Sequence, residues 1–182
     1  MRPIFATLTQ EYKLTCCLSG NWRLNKIRSD ARTAQCRAIE TEVYNHDFYV
    51  IDGQPTGPAF SIKFPFAVVP KDSLSGALEI HGNEITYKRQ LGEGGHDSAA
   101  GYLAGFDGSA KDDDIRVENR KVGAGVEESI NRPVSKLYLW SIRTTVCPEA
   151  YIALKIAPGE TAKWQTKYRF YTFKPEEEQG RP

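Results

Sequence analysis

The sequence predicts an all-β protein, an antiparallel β-sandwich. Three observations carry that reading. Apolar residues recur mainly with a period of two rather than about 3.6. The alternating segments are short and are punctuated by 15 glycines and 10 prolines. No segment sustains an amphipathic helix over several turns.

In chain order, Trp22-Arg23-Leu24-Asn25-Lys26-Ile27 is a strand candidate. The next segment, Ser29 to Ala38, is polar and small and lacks the strand signal that a regular sandwich would place there. Ser61-Ile62-Lys63-Phe64 alternates. Leu78-Glu79-Ile80 and Glu84-Ile85-Thr86-Tyr87 flank His81-Gly82-Asn83, the pattern of a hairpin turn. Leu91 to Gly101 carries Gly92, Gly94, Gly95 and Gly101 and reads as a mobile loop. Ile115 to Asn119 alternates and ends before Gly123, and Lys136 to Arg143 alternates without a break. Tyr151 to Ile156 and Lys163 to Tyr171 are two further strands. They are joined by Ala157-Pro158-Gly159-Glu160, where proline presets one dihedral and glycine accepts positive φ. Residues 174–182 form a charged tail that is expected to fray.

The chain of 182 residues is read as one domain spanning residues 1–182. Its hydrophobic content of 40% supports a sizeable core. The 24 basic and 23 acidic residues leave a net charge of +1. That balance argues against nucleic acid or an anionic membrane as the main partner, because both select a basic surplus. No apolar run is long enough for a membrane helix. Met1 to Gln10 lacks the continuous apolar stretch of a secretory leader, so a cytoplasmic protein is expected. The cysteines are Cys16, Cys17, Cys36 and Cys147, without a CxxC pair or Cys/His metal spacing. Reduced thiols, no metal site and no cofactor are the expectation, with a Cys16–Cys36 or Cys17–Cys36 disulfide disfavoured by that compartment.

The most informative segment is Tyr44-Asn45-His46-Asp47-Phe48-Tyr49-Val50-Ile51-Asp52-Gly53. Histidine titrates near neutral pH, with an unperturbed pKa of roughly 6.5, so His46 beside an open cleft could pass a proton to a ligand. Trp140 to Tyr151 could bring Glu149 to it as a carboxylate partner.

Asn45-His46, followed by Phe48-Tyr49 and Gly53, resembles the Asn-His-x-Tyr-Phe-Asn-Leu-x-Gly segment of galactose mutarotases (aldose 1-epimerases). Glu149-Ala150, Ile156-Ala157-Pro158-Gly159-Glu160 and the aromatic run Trp164 to Phe173 follow in that family's order. The likeness spans Tyr12 to Phe173. It implies the large β-sandwich of those enzymes, possession of a sugar cleft, and a small-molecule sugar (a hexose or derivative) as partner. It implies that His46 donates a proton to the ring oxygen and that Glu149 removes one from the anomeric hydroxyl. Asn45, Arg143 and His96 are the candidates for contacting the substrate. The chain departs from the family in carrying Glu-Ala for Glu-Pro. The family's upstream histidine and arginine find no counterpart before Tyr12, so the chain is expected to cover the C-terminal half of the fold. An incomplete sandwich would expose strand edges and favour a homo-oligomer.

Each residue also has a structural reading. His46 would be a core or edge histidine bonded to backbone, and Glu149 a solvated strand-end acid. Arg143 reads more readily as a surface arginine, and His96, beside Asp97, as a solvated loop residue. His81 belongs to its turn. Trp140, Trp164, Tyr138 and Phe170 are expected in the core, although one aromatic could stack on a sugar. Lys111-Asp112-Asp113-Asp114 resembles a calcium-ligand run but lacks the glycine and distal glutamate of an EF-hand, which favours a solvated turn. Glu176-Glu177-Glu178 is a tail charge run. Two further functions stand beside sugar epimerisation: non-catalytic carbohydrate binding, and a β-sandwich interaction module.

Overall fold

The computed structural model describes residues 4–16 and 37–175. These residues form two antiparallel sheets. The larger has the order β1-β12-β9-β8-β3-β6-β5, with β1 Ile4–Thr15, β12 Thr161–Thr172, β9 Ala124–Ile130, β8 Asp114–Asn119, β3 Phe60–Lys63, β6 Glu84–Tyr87 and β5 Leu78–His81. The smaller has the order β2-β11-β10-β7-β4, with β2 Ile39–Val43, β11 Thr145–Ile156, β10 Lys136–Ile142, β7 Ala99–Ala104 and β4 Val69–Pro70. The protein is an all-β antiparallel sandwich, as the alternation predicts. None of its described helices is long and apolar enough to cross a membrane.

The period of two assigns the faces. Leu137, Leu139 and Ser141 of β10 are buried, whereas Lys136, Tyr138, Trp140 and Ile142 are partly exposed. Val146, Ala150, Ile152, Leu154 and Ile156 of β11 join the same core. Ile62, Ile115, Val117 and Val126 meet them from the larger sheet. Each fully buried aliphatic side chain contributes roughly 1.5–3 kcal/mol by leaving water. One polar chain inside this core is fully paired: Tyr87 Oη donates to Ser141 Oγ at 2.8 Å, which donates to the Ala99 carbonyl at 3.1 Å.

The hairpins follow their turn chemistry. Gly82 lies at φ 63° between β5 and β6, and Gly159 at φ 82° between β11 and β12. Both positions suit glycine, which has no Cβ to oppose positive φ.

Several expectations are corrected. Ala99 to Gly101 belongs to β7 rather than to a loop, and Ala99 is fully buried. The glycine-rich stretch before it is pinned by Asp97, whose carboxylate accepts from Arg89 and from the Gly92 N–H. Strand β11 begins at Thr145 rather than Tyr151, because its first residues are buried on both faces and so do not alternate. Trp140 and Tyr138 stand on the outer face of β10, and Phe170 is 40% exposed, so they are not core residues. Trp164 is partly buried and stacks on Tyr12 with centroids 5.4 Å apart.

The aspartate run forms a 3-10 turn, but not a solvated one. Asp112 Oδ2 accepts from the N–H groups of Asp107, Gly108 and Ser109 at 3.0, 2.8 and 2.9 Å, and Asp113 is fully buried. The expectations for Trp22 to Ile27, for residues 29–36, for Cys17 and Cys36, and for Glu176 to Glu178 lie outside the described residues.

Candidate functional site

The outer face of the smaller sheet is built by one register. Val43 of β2 lies opposite Ile152 of β11, and an isolated bridge places Tyr49 opposite Val146. Both pairs obey a single antiparallel register, and in it His46 lies opposite Glu149. The chain between β2 and Tyr49 therefore continues along β11. It is not an assigned strand, for a local reason: Pro148 lies opposite Asp47 in that register, and a proline has no N–H to donate to the ladder.

Alternation sorts this segment. Asn45, Asp47 and Tyr49 are partly buried, whereas Tyr44, His46, Phe48 and Val50 are exposed. The inward set is held by the larger sheet. Asn45 Nδ2 donates to Thr166 Oγ1 at 3.1 Å and to Tyr168 Oη at 2.7 Å. Tyr168 Oη donates to Asp47 Oδ2 at 2.7 Å, and Tyr49 Oη to Glu128 Oε2 at 2.5 Å. This polar seam anchors the segment and leaves its even-numbered side chains facing outward over β11.

The pair register then gives rows of side chains across the face. His46, Glu149, Tyr138 and Tyr102 form one row, because Tyr138 is opposite both Glu149 and Tyr102. Trp140 lies opposite Cys147 and Ala100 in the next row, and Lys136 opposite Tyr151 in another. His46 Nε2 is 3.3 Å from Glu149 Oε1. The imidazole is half exposed and the carboxylate almost wholly buried. Tyr151 Oη donates to the other oxygen, Glu149 Oε2, at 3.0 Å. Burial and that bond to Glu149 push the Tyr151 phenol up, so it stays a neutral donor at ordinary pH.

Aromatic rings enclose the pair. His46 packs on Phe48 at 4.4 Å and on Trp140 at 6.2 Å between centroids. Tyr44 stacks on Tyr151 at 4.1 Å, and Lys136 Nζ lies 3.8 Å from the same Tyr151 ring. Phe48 is 53% exposed and Tyr102 41%, so the face presents apolar rings around a buried acid. Such a surface offers a planar apolar contact and an ionisable centre together.

No protein-family description matches this chain, and none of the curated proteins does. Solved structures do resemble it. The Slr1438 protein from Synechocystis sp. PCC 6803 matches over 92% of this chain and 51% of its own length, at 11% identity and a TM-score of 0.53. A protein from Escherichia coli K12 provisionally named an aldose 1-epimerase matches over 92% of this chain and 66% of its own, at 10% identity and a TM-score of 0.41. The chain thus spans about half the length of the first and two thirds of the second. At these identities the likeness concerns the fold alone.

The structure brings together His46 and Glu149. It does not bring the other sequence-predicted residues to them. Asn45 sits on the opposite side of its segment, committed to Thr166 and Tyr168. Arg143 lies in the turn after β10, where its guanidinium donates to the Leu91 carbonyl at 3.3 Å and approaches Glu93 at 3.8 Å. His96 is exposed in the loop before β7. Tyr151, Cys147 and Tyr102 are site neighbours that the sequence reading missed. The signal available for the first two was the x-Cys-x-Glu-x-Tyr alternation of Val146 to Tyr151, which puts all three on one face once a strand is drawn there.

Proposed function

We propose that this chain binds a hexose or related sugar on the outer face of its smaller sheet and interconverts the anomers by general acid–base ring opening. His46 is the acid and Glu149 the base. The observation that carries the reading is the cross-strand pairing that puts Nε2 3.3 Å from Oε1. The ring oxygen and the anomeric hydroxyl of a sugar share one carbon, so their acid and base must be neighbours. A protonated His46 gives its proton to the ring oxygen while Glu149 takes the proton of the anomeric hydroxyl. The C1–O5 bond breaks and a carbonyl forms at C1. Rotation about C1–C2 followed by reversal of both transfers closes the ring on the other face, and both groups return to their starting states. Tyr151 holds Oε2, and Oε1 is the oxygen that faces His46. Trp140 and Phe48 supply rings for the sugar's apolar face.

The test is polarimetry on freshly dissolved anomers of galactose and glucose. Loss of a general acid or base lowers the rate about 10²–10⁴-fold, so His46→Asn and Glu149→Gln should both reduce the enzyme rate to near the uncatalysed one. Rates equal to the unsubstituted protein in either variant would remove the assignment. The exposed aromatic face also favours a second reading, sugar binding without turnover. Calorimetric binding with no rate enhancement by the unsubstituted protein would select it.

A further inference from the structure

The reaction above leaves one buried nucleophile of the face unused. Cys147 is fully buried, and its Sγ lies 3.9 Å from Glu149 Oε1. One donor atom from each of His46, Cys147 and Glu149 lies within 4.8 Å of the other two. Cys147 and Glu149 are two residues apart on one strand and so share a face, while His46 reaches them from the neighbouring segment. Around a tetrahedral zinc ion, bonds of ~2.0–2.3 Å put nitrogen and oxygen donors about 3.4 Å apart, and sulfur and oxygen donors about 3.6 Å apart. The observed 3.3 and 3.9 Å are within a few tenths of an ångström of those spacings.

We propose that His46, Cys147 and Glu149 form a three-ligand site for Zn²⁺ or a similar thiophilic divalent cation, and that the bound metal withholds the acid–base pair from sugar. The regulatory half of this proposal rests on the catalytic reading of the same residues; the metal site itself does not. The donor set decides the class of ion. One imidazole, one thiolate and one carboxylate suit Zn²⁺ or Co²⁺, whereas Mg²⁺ and Ca²⁺ select oxygen alone. Three protein ligands leave a fourth position open, and the half-exposed His46 marks the side on which solvent reaches it. The Tyr151 hydroxyl on Glu149 Oε2 is the outer contact that orients a ligating carboxylate. Zinc takes cysteine as the thiolate, so metal binding releases the thiol proton to water, and affinity rises with pH. The sequence showed no metal spacing because the third ligand comes from a separate segment that only the sheet register places opposite.

The test is titration of the full chain with Co²⁺, followed by absorption, and with Zn²⁺, followed by calorimetry. One equivalent of Co²⁺ should bind with a thiolate-to-metal charge-transfer band and tetrahedral ligand-field bands. Cys147→Ser should lose the charge-transfer band and, like Glu149→Gln, weaken Zn²⁺ binding by about tenfold or more, since even outer-shell losses reach that size. The three other cysteines make the serine variant the deciding one. A band that survives in Cys147→Ser, or no Co²⁺ binding at all, overturns the site. If the serine variant does not fold by circular dichroism, His46→Asn and Glu149→Gln decide: unchanged Zn²⁺ affinity in both overturns the site. Polarimetry on the metal-free protein separates the two readings. Mutarotation that falls in proportion to bound Zn²⁺ supports the regulation. Mutarotation indifferent to bound Zn²⁺ overturns the regulation. Metal binding without mutarotation by the metal-free protein overturns the catalytic reading and the regulation, and leaves the metal site standing.

Discussion

Replacing Glu128 with Gln should make the protein more stable at neutral pH and should flatten its stability–pH curve. Glu128 is buried in β9, between Tyr49 and the larger sheet's neighbours, with its Oε2 accepting from Tyr49 Oη. Burial first, and then the nearby Asp47 carboxylate, push its acid form up to about 8 from the ordinary 4.5, against the opposing pull of the Tyr49 hydroxyl. The folded pKa lies above the unfolded one, so the folded state binds one extra proton between the two. Stability from this group is complete below the unfolded pKa and is lost as pH rises through the folded one. The slope over that window is about −1.4 kcal/mol per pH unit. Carried from pH 4.5 to 7, this amounts to about 3 kcal/mol for a group that is only 3% exposed. Glutamine has nearly the same shape, keeps an oxygen for Tyr49, and has no proton to bind. Urea unfolding at half-unit steps from pH 5 to pH 8 measures the effect. The unsubstituted protein should lose stability more steeply than the variant by about 1.4 kcal/mol per pH unit. Asp113 is raised in the same direction by burial and by Glu128, and neither of its oxygens meets a hydrogen bond of ordinary geometry, so a residual slope remains in the variant. Parallel curves for the two proteins would refute the reasoning, because they would mean that Glu128 binds no extra proton on folding.

Three other outcomes follow from the geometry. Tyr151→Phe removes the donor that holds Glu149 Oε2, and a hydrogen bond to a charged group is worth about 1.5–3 kcal/mol, so kcat for mutarotation should fall at least about tenfold with KM little changed; unchanged kinetics would remove the positioning role. Trp140→Ala takes away a ring of the sugar face, and calorimetry should show about tenfold weaker sugar binding, in line with stacking of about 0.5–1.5 kcal/mol plus lost area; equal affinity would place the sugar elsewhere. Gly105→Ala should destabilise by about 2 kcal/mol or more by thermal unfolding. Gly105 lies at φ 115°, and a Cβ there would meet the Ala67 carbonyl oxygen at 2.0 Å; an unshifted melting midpoint would contradict that close approach.

Much of the architecture was legible in the residues. Lys136 to Ile142 alternates so regularly that the strand and its two opposite faces could be drawn from it, though not which of the two meets the core. The β5–β6 and β11–β12 hairpins were marked by Gly82 and by Pro158-Gly159. Strands β1, β2, β4, β7 and β9 were not legible. Ala99 to Ala104 is small and carries a glycine, and its strand character comes from pairing with β10 on one side and β4 on the other. The core placement expected for Trp140 and Tyr138 failed for a physical reason: alternation says which residues share a face, not which face meets the other sheet.

The sequence alone determined the all-β class and the main hairpins, which follow from local properties, a period of two and turn residues; the resemblance to galactose mutarotases singled out His46 and Glu149 as the ionisable groups to watch. The tertiary structure decided that His46 and Glu149 meet, that Asn45 turns away from them, and that Cys147 joins them. It also buried Glu128 and Asp113, which the sequence leaves indistinguishable from surface acids. Register between strands distant in the chain makes all of these choices, and a shift of one residue would reverse every face.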